Sequence, residues 1–481
     1  MHLIDKILPG FSWVALANVF RQVQQVVALV VYSYFLSPSD FGLFSIVLIF
    51  SLFAGLFSNF GTSSAVIYFN DKSKEFLSTI FIFNIIIGFI VFVILNTSSI
   101  YVADFFNKPE LNSLIKYISI NFIFQSLFLV HKALLEMDMS FKVISFIETI
   151  SIFSATIMGI FFVYKYDVGV YGLVIQSVVN TFLLLILFWS SSKWRPILYF
   201  SFPQIKKVYA YAINLTLFNM LNYFTNNIDQ FLIGKILSSA SLGIYSIALR
   251  IVISPLVNVS SIIVRVIFPV LSHYKDEIKK VKLIYLQIIF NVSVVTFPLM
   301  VGLMSLSEIF VETIFNDEWA KLGYMLVIMA PIGLINSIVT TTGVIYTSNG
   351  NTRLMLKLSV VNLIVMFSFI YIGAQYGLDG VAYALLLATI LLMFVHLYFA
   401  WNEIGLTLLE GFSKLFPVLM ASIIMGVVTH SIYLLGIFDF GIDVINLLLI
   451  IFIGIIIYAL MIKIYFGSIK SIFKLPSLEI N

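Results

Sequence analysis

Four polar side chains lie on one face of the first long apolar segment of the chain. Asn18, Arg21, Gln22 and Gln25 have the spacing i, i+3, i+4 and i+7, and residues at these intervals share a face of a helix. An arginine can bond two anionic oxygens at once, and the amides can donate and accept hydrogen bonds. The chain has no phosphate-binding glycine loop, nucleophile motif or metal-ligand spacing. These residues therefore indicate ligand binding rather than catalysis.

A related polar face recurs in the second half of the sequence. An offset of 201 residues carries the first face onto Asn219, Asn222, Tyr223 and Asn226, and Asp229 extends it by three positions. The following apolar segment carries a further polar face. Its members, spaced by three or four residues, are Arg250, Ser254, Asn258, Ser261 and Arg265.

The energetic cost of charge in a bilayer limits where these polar faces can lie. A charged side chain at mid-bilayer costs roughly 2.5–3.5 kcal/mol on insertion scales, so the faces must meet one another or a water-filled cavity. Arg21 and Arg250 could bind a ligand, or each could pair with a carboxylate such as Asp229 or Glu148. Arg265 could instead reach the cytoplasmic membrane surface, and the amides could serve helix–helix hydrogen bonds.

The composition requires a lipid bilayer around most of the chain. Of 481 residues, 61% are hydrophobic and 10% are charged, whereas soluble domains carry about 25% charged residues. About 20 apolar residues span the hydrocarbon as a helix, and the long unbroken runs exclude barrel strands. Fourteen spans are predicted, at roughly 11–36, 41–69, 76–95, 111–134, 143–164, 168–189, 207–237, 241–270, 283–306, 322–348, 354–374, 379–401, 414–437 and 443–466.

The distribution of basic residues predicts the orientation of these spans. With the N-terminus in the cytoplasm, 19 of the 27 Lys and Arg residues fall on the cytoplasmic side, 4 in outer loops and 4 within spans. This pattern satisfies the positive-inside rule and places both termini in the cytoplasm. The first residues lack the features of a cleavable signal peptide. The net charge of +4 is too small to indicate nucleic-acid binding, and no loop is long enough for an enzymatic domain.

An internal repeat predicts the architecture. Within 234–251, residues 235–251 align with 34–50 at the same offset of 201, and 166–173 resemble 376–385. Each copy has six spans, so both enter the membrane from the same side and form parallel lobes. We expect an all-α integral membrane protein of about 14 transmembrane helices, with two parallel six-helix lobes and two C-terminal helices. The expected boundaries are 1–200 for the first lobe, 201–405 for the second, and 406–481 for the added helices and a cytoplasmic tail.

Several stretches resemble signatures of the Wzx-type polysaccharide and O-antigen flippases, polysaccharide transporters of the MOP superfamily. NNIDQFLIGKILSSASLGIYSIALRI, at 226–251, is similar to the family's seventh-to-eighth-span signature, and LSPSDFGLFSI is similar to its counterpart in the first lobe. FPLMVGLMSLSEIFVETIFNDEW and YTSNGNTRLMLKLSVVNLIV resemble the ninth-to-eleventh spans. The resemblance covers most of residues 10–400. Gln230 departs from it, because the family usually has Arg or Lys there.

The resemblance implies a MATE/MOP-like fold, with two lobes around a cavity that opens alternately to each side. It implies a substrate of undecaprenyl-pyrophosphate-linked oligosaccharide, moved from the inner to the outer leaflet for assembly of O-antigen, capsule or exopolysaccharide. Cavity cations would meet the pyrophosphate, and the candidates are Arg21 and Arg250, then Arg265. Asp229 and Glu148 are candidates for coupling to a Na+ or H+ gradient. The candidates for sugar binding and cavity lining are Asn18, Gln22, Gln25, Asn219, Asn222, Asn226, Ser254 and Asn258.

The resemblance also implies a location and partners. We expect a multi-pass protein of the bacterial cytoplasmic (inner) membrane that contacts membrane lipids and the lipid-linked oligosaccharide and needs no bound cofactor. It could associate with the polysaccharide polymerase and chain-length machinery.

Two other functions remain open. A cation-coupled multidrug antiporter should present acidic cavity residues, whereas here Arg21 and Arg250 outweigh Asp229 and Glu148. A peptidoglycan-precursor (lipid II) flippase is chemically close, because its substrate is also a pyrophosphate lipid.

Overall fold

The computed structural model describes residues 4–59, 61–274, 277–438, 440–441 and 443–466. It describes the backbone alone at 4–12, 15, 59, 210–212, 214–215, 217–218, 221, 257–270 and 352. Within these ranges the backbone forms α-helices, one short 3-10 turn at Asp317–Trp319 and no strands. The helices are α1 (Ile4–Phe35), α2 (Pro38–Asn59), α3 (Thr62–Phe69), α4 (Lys74–Phe106), α5 (Glu110–Met137), α6 (Phe141–Tyr166), α7 (Tyr171–Ser191), α8 (Phe202–Ile236), α9 (Ser239–His273), α10 (Ile278–Ser305), α11 (Ser307–Ile314), α12 (Ala320–Ser348), α13 (Thr352–Ala374), α14 (Gly377–Glu403), α15 (Leu408–Leu434) and α16 (Asp443–Phe466).

The all-helical membrane class is confirmed, and each predicted span coincides with a helix. Whereas each other span contains one helix, the predicted span 41–69 contains two helices, α2 and α3. Gly61, between them, has a left-handed φ of 64°, which a glycine adopts without steric cost. Twelve spans in the described residues are long and apolar enough to cross a membrane. The other two predicted spans are α1 and α8, and parts of both lie outside the residues whose side chains the structure describes. The total of fourteen therefore stays a prediction.

The described helices separate into two compact units, residues 1–243 and 244–481. In the first unit, α4 packs on α5, α6 on α7, and α1 on α6, while α8 packs on α2, α3 and α4. In the second unit, α10 packs against both α12 and α15, α14 joins α12 and α13, and α16 packs on α15. The added helices α15 and α16 therefore belong to the packed body of the second unit. The lobe boundaries at 200 and 405 stay a prediction.

Two glycines related by the repeat lie in close contact with a neighbouring helix backbone. A Cβ added to Gly42 in α2 would lie 1.8 Å from the carbonyl oxygen of Ser239, in the first turn of α9. A Cβ added to Gly243 would lie 1.8 Å from the carbonyl oxygen of Pro38, in the first turn of α2. The offset of 201 relates Pro38 to Ser239 and Gly42 to Gly243. The contact is therefore reciprocal, and only a glycine fits at either position.

Both helix ends in this contact begin with the same local structure. The Ser37 hydroxyl oxygen accepts from the Asp40 backbone N–H at 3.3 Å, and the Ser238 hydroxyl oxygen accepts from the Ser241 N–H at 3.1 Å. A serine in this position satisfies one of the free N–H groups of the first turn. Lys108 adds a bond to the contact, because its ammonium donates to the Ser239 hydroxyl at 2.6 Å. The two copies of the sequence repeat therefore share the same helix-capping hydrogen bond and the same backbone contact.

We expect Gly42→Ala to destabilise the protein, because its Cβ can be accommodated only if α2 and the start of α9 separate. Overpacking of this kind costs about 1–3 kcal/mol. Gly55→Ala in the same helix is the matched control, since the nearest atom to its Cβ would be 3.9 Å away. The measurement is thermal unfolding of the purified protein. A Gly42→Ala variant with the same Tm as Gly55→Ala would contradict the close approach.

Candidate functional site

A cluster of three charged side chains connects α1, α5 and α6 in the first unit. The Arg21 Nη1 group donates to Oε2 of Glu148 at 2.6 Å, and the Lys132 ammonium donates to Oε1 of the same carboxylate at 2.7 Å. Each carboxylate oxygen thus has its own cation. The second terminal nitrogen of Arg21 donates to the side-chain oxygen of Asn18. We call Arg21, Lys132 and Glu148 the charge cluster.

Helix packing explains how these residues meet. α1 packs along α6, which brings Arg21 to Glu148, and α5 packs on α6 beside Lys132. Glu148 lies seven residues into α6, which corresponds to about 10 Å along the helix axis. Lys132 lies five residues before the end of α5, or about 8 Å. The cluster is therefore inside the helical bundle but near the ends of α5 and α6 that the basic-residue pattern places in the cytoplasm.

The charges in the cluster are only partly shielded. The exposed fractions of the Arg21, Glu148 and Lys132 side chains are 24%, 25% and 32%. Glu136, one helical turn beyond Lys132, interacts electrostatically with both Lys132 and Glu148. Arg21 thus has a carboxylate and an amide as partners while part of its guanidinium stays accessible. An anion could approach that accessible part.

The sequence left open that Arg21 and Arg250 each pair with a carboxylate such as Asp229 or Glu148. The structure pairs Arg21 with Glu148. Lys132 was counted among the cytoplasmic basic residues, and nothing in its local sequence marks it as a member of the site. Gln24 was also missed, although it is buried and donates to the hydroxyl of Thr156 in α6 at 2.6 Å. Its position in α1, between two predicted residues, was the only available signal.

The remaining candidates in α1 and α8 differ in their environments. Asn18 and Gln25 are exposed and Gln22 is half-buried. In α8, Asn219 and Asn226 are exposed, whereas Asn222 and Asp229 are half-buried. The exposed amides are accessible to a ligand, and the side-chain oxygen of Asn18 already accepts a hydrogen bond from Arg21.

Tyr223, the aromatic position within the α8 face, has a structural contact. Its hydroxyl donates to the backbone carbonyl of Ile49 in α2. This bond helps to hold α8 against α2, with which it packs. The α8 face therefore combines a structural residue, Tyr223, with the exposed amides of Asn219 and Asn226.

The candidates in α9 belong to the second unit. The Arg250 side chain is exposed and has no hydrogen-bond or ion-pair partner among the side chains that the structure describes. Ser254 is half-buried and has an interaction of its own. The side chains of Asn258 and Arg265 lie outside the described residues. Among the described residues, no three His, Asp or Glu side chains come together as a metal site.

Comparison with known proteins identifies the family. A model of the polysaccharide biosynthesis protein family matches residues 31–324, more than half of the chain. The chain therefore belongs to this family, and the resemblance to Wzx-type flippases of the MOP superfamily is confirmed. It is similar to the lipopolysaccharide biosynthesis protein WzxC of Escherichia coli K12, with 27% identity over 440 residues and 89% of each chain covered. It is also similar to the teichuronic acid biosynthesis protein TuaB of Bacillus subtilis 168, with 25% identity and 73% of each chain covered.

Solved structures define the fold. The lipid II flippase MurJ, in an inward closed conformation, aligns with a TM-score of 0.76 at 17% identity, covering 94% of this chain and 98% of MurJ. A MATE transporter aligns with a TM-score of 0.53 at 14% identity, covering 82% of this chain and 94% of its own. These similarities confirm the expected MATE/MOP-like fold. The protein is a multi-pass membrane transport protein.

We expect a double-mutant cycle to detect coupling between Arg21 and Glu148. Glu148→Gln should destabilise more than Arg21→Gln, because it leaves two cations without a carboxylate, whereas Arg21→Gln leaves Glu148 paired with Lys132. The coupling energy from thermal unfolding should lie in the range of about 0.5–3 kcal/mol.

The ion pair between Lys72 and Asp138 is the matched control for this cycle. Both of its side chains are 53% exposed, and exposed pairs contribute about 0–1 kcal/mol. A coupling between Arg21 and Glu148 no larger than that of the control would show that the charge cluster adds nothing to stability.

Proposed function

We propose that the protein is a flippase for undecaprenyl-pyrophosphate-linked oligosaccharides. It moves these repeat units from the inner to the outer leaflet of the bacterial cytoplasmic membrane by alternating access. The observation that carries the proposal is a partly exposed arginine, Arg21, held within the helical bundle of a chain of the polysaccharide biosynthesis family. Arginine suits a pyrophosphate because its planar fork bonds two oxygens at once.

The position of the charge cluster supports the proposed direction. The cluster lies about 8–10 Å from the ends of α5 and α6, and the positive-inside pattern predicts that these ends and both chain termini lie in the cytoplasm. A pyrophosphate that enters from the inner leaflet would meet Arg21 early in its path. The exposed amides of Asn18, Gln25, Asn219 and Asn226 would then bond sugar hydroxyls. The polyprenyl tail stays in lipid, and no covalent bond is broken.

Arg250 is the second proposed pyrophosphate ligand, because it is an exposed cation in a membrane-spanning helix with no described partner. Intramembrane cations of this kind mark substrate pathways more often than structural pairs. Each unit thus supplies one proposed cation, Arg21 in the first and Arg250 in the second. Cations favour an anionic substrate over the organic cations that a multidrug antiporter would carry.

A gradient of Na+ or H+ is proposed to drive the cycle through an acidic side chain. Glu148 is held by two cations, which stabilise its charged form. Asp229 in α8 is therefore the better candidate for binding and releasing an ion. Transport that continues after both gradients are collapsed would remove this part of the proposal.

Deletion of the protein in its host, followed by extraction of polyprenyl-linked oligosaccharides, tests the proposed function. We expect complete repeat units to accumulate on the inner leaflet and surface polysaccharide to be lost. Normal surface polysaccharide with no trapped lipid would refute the flippase. New sensitivity to cationic drugs in the same strain would favour the antiporter.

We expect Arg250→Ala to abolish export while the amount of protein in the membrane stays normal. A hydrogen bond to a charged group contributes about 1.5–3 kcal/mol, so the rate should fall at least ten-fold. Surface polysaccharide in the complemented deletion strain provides the readout. Arg353→Ala is the control, since Arg353 is also exposed but lies in the first turn of α13, on the predicted cytoplasmic side. Full export by Arg250→Ala would exclude this residue as a ligand.

A further inference from the structure

We propose that Glu148 binds Arg21 in the empty transporter and that the substrate pyrophosphate displaces it from Arg21. Glu148 remains bound to Lys132 during this exchange. This inference rests on the proposed function. It assigns Glu148 a role as an internal competitor of the substrate and Lys132 a role as the residue that retains Glu148 after displacement. Neither role requires Lys132 or Glu148 to touch the substrate.

The geometry of the charge cluster supports this exchange. Arg21 bonds one oxygen of the Glu148 carboxylate at 2.6 Å and Lys132 bonds the other at 2.7 Å. The bond to Arg21 can therefore break without disturbing the bond to Lys132. One terminal nitrogen of the guanidinium donates to Glu148 and the other to Asn18, so each has already committed one of its two hydrogens. Departure of the carboxylate returns the Nη1 donor and removes a competing negative charge, and Arg21 can then bind a pyrophosphate more strongly.

The electrostatics keep the cost of the exchange low. A carboxylate that loses its only partner inside a protein costs several kcal/mol. Glu148 avoids that penalty because Lys132 remains, and Arg21 avoids it because the pyrophosphate replaces the carboxylate. A single cation with a single carboxylate could not offer this route. The second cation is therefore the feature that makes Glu148 displaceable.

The exchange also couples substrate binding to the contact between α1 and α6. Arg21 and Glu148 form a polar tie between α1 and α6, which pack along one another. The tie between Lys132 and Glu148 joins α5 to α6 and persists. Substrate binding would thus break this one tie between α1 and α6, while the bond between Gln24 and Thr156 and the tie between α5 and α6 remain. A substrate that removes one helix tie can bias a conformational equilibrium by its differential binding.

The test is the affinity of the purified protein, in nanodiscs, for farnesyl pyrophosphate, with farnesyl monophosphate as the reference probe. Glu148→Gln removes the competitor, so we expect its Kd for farnesyl pyrophosphate to fall by about ten-fold. Lys132→Met removes the residue that retains Glu148, so we expect weaker binding than in the unmodified protein. The two substitutions therefore act in opposite directions, whereas a purely structural cluster would weaken binding in both. Thermal unfolding of each variant shows that it is folded at the temperature of the measurement.

Glu136→Gln provides the matched control for charge. Glu136 is close enough to interact electrostatically with Lys132 and Glu148. It is not the carboxylate that is bonded to Arg21. We expect Glu136→Gln to bind farnesyl pyrophosphate with nearly the affinity of the unmodified protein. An increase equal to that of Glu148→Gln would overturn the inference, because general charge removal would then explain both.

The double variant Lys132→Met/Glu148→Gln tests the role of Lys132. If Lys132 acts only through Glu148, the double variant should bind as tightly as Glu148→Gln. Binding weaker than in Glu148→Gln would place Lys132 on the substrate and overturn its assigned role. Absence of binding by the unmodified protein would refute the proposed function itself. Binding by the unmodified protein without a gain in Glu148→Gln would refute only the exchange.

Discussion

The cost of placing charge in a low-dielectric bundle is the constraint on which the charge cluster depends. Arg21, Glu148 and Lys132 come from three helices, and none of the three could remain charged there alone at low cost. Their mutual ion pairs lower this cost and join α1, α5 and α6. The same groups supply a cation that an anion can reach. Stability and proposed binding therefore depend on one set of contacts.

The same constraint explains why the first helix of each repeat is less apolar than its neighbours. α1 carries the polar face of Asn18, Arg21, Gln22 and Gln25, and α8 carries its counterpart in the repeat. Tyr223 on α8 bonds a backbone carbonyl of α2, and Gln24 on α1 bonds a hydroxyl of α6. Polar residues on these helices thus have two uses. Some hold the helix in the first unit, and others remain exposed for a ligand.

The repeat has a structural counterpart that charge does not explain. Gly42 and Gly243 each admit the backbone of the other copy's first turn, and both turns have a serine cap. Backbone contact of this kind depends on the absence of a side chain rather than on any attraction. The fold it supports is shared with MurJ and MATE transporters. A fold shared by such different transporters does not specify the substrate, which is why the proposed function depends on the charges.

The sequence alone determined the helices, the repeat, the family and most of the polar faces, because hydropathy and helical periodicity are local properties of neighbouring residues. Only the tertiary structure decided which charges meet. Arg21 and Glu148 are separated by 127 positions, and Lys132 joins them from a third helix. Their contact depends on the rotation and depth of α1, α5 and α6 in the bundle, which are set by packing along the whole length of each helix. No local pattern around Lys132 contains that information.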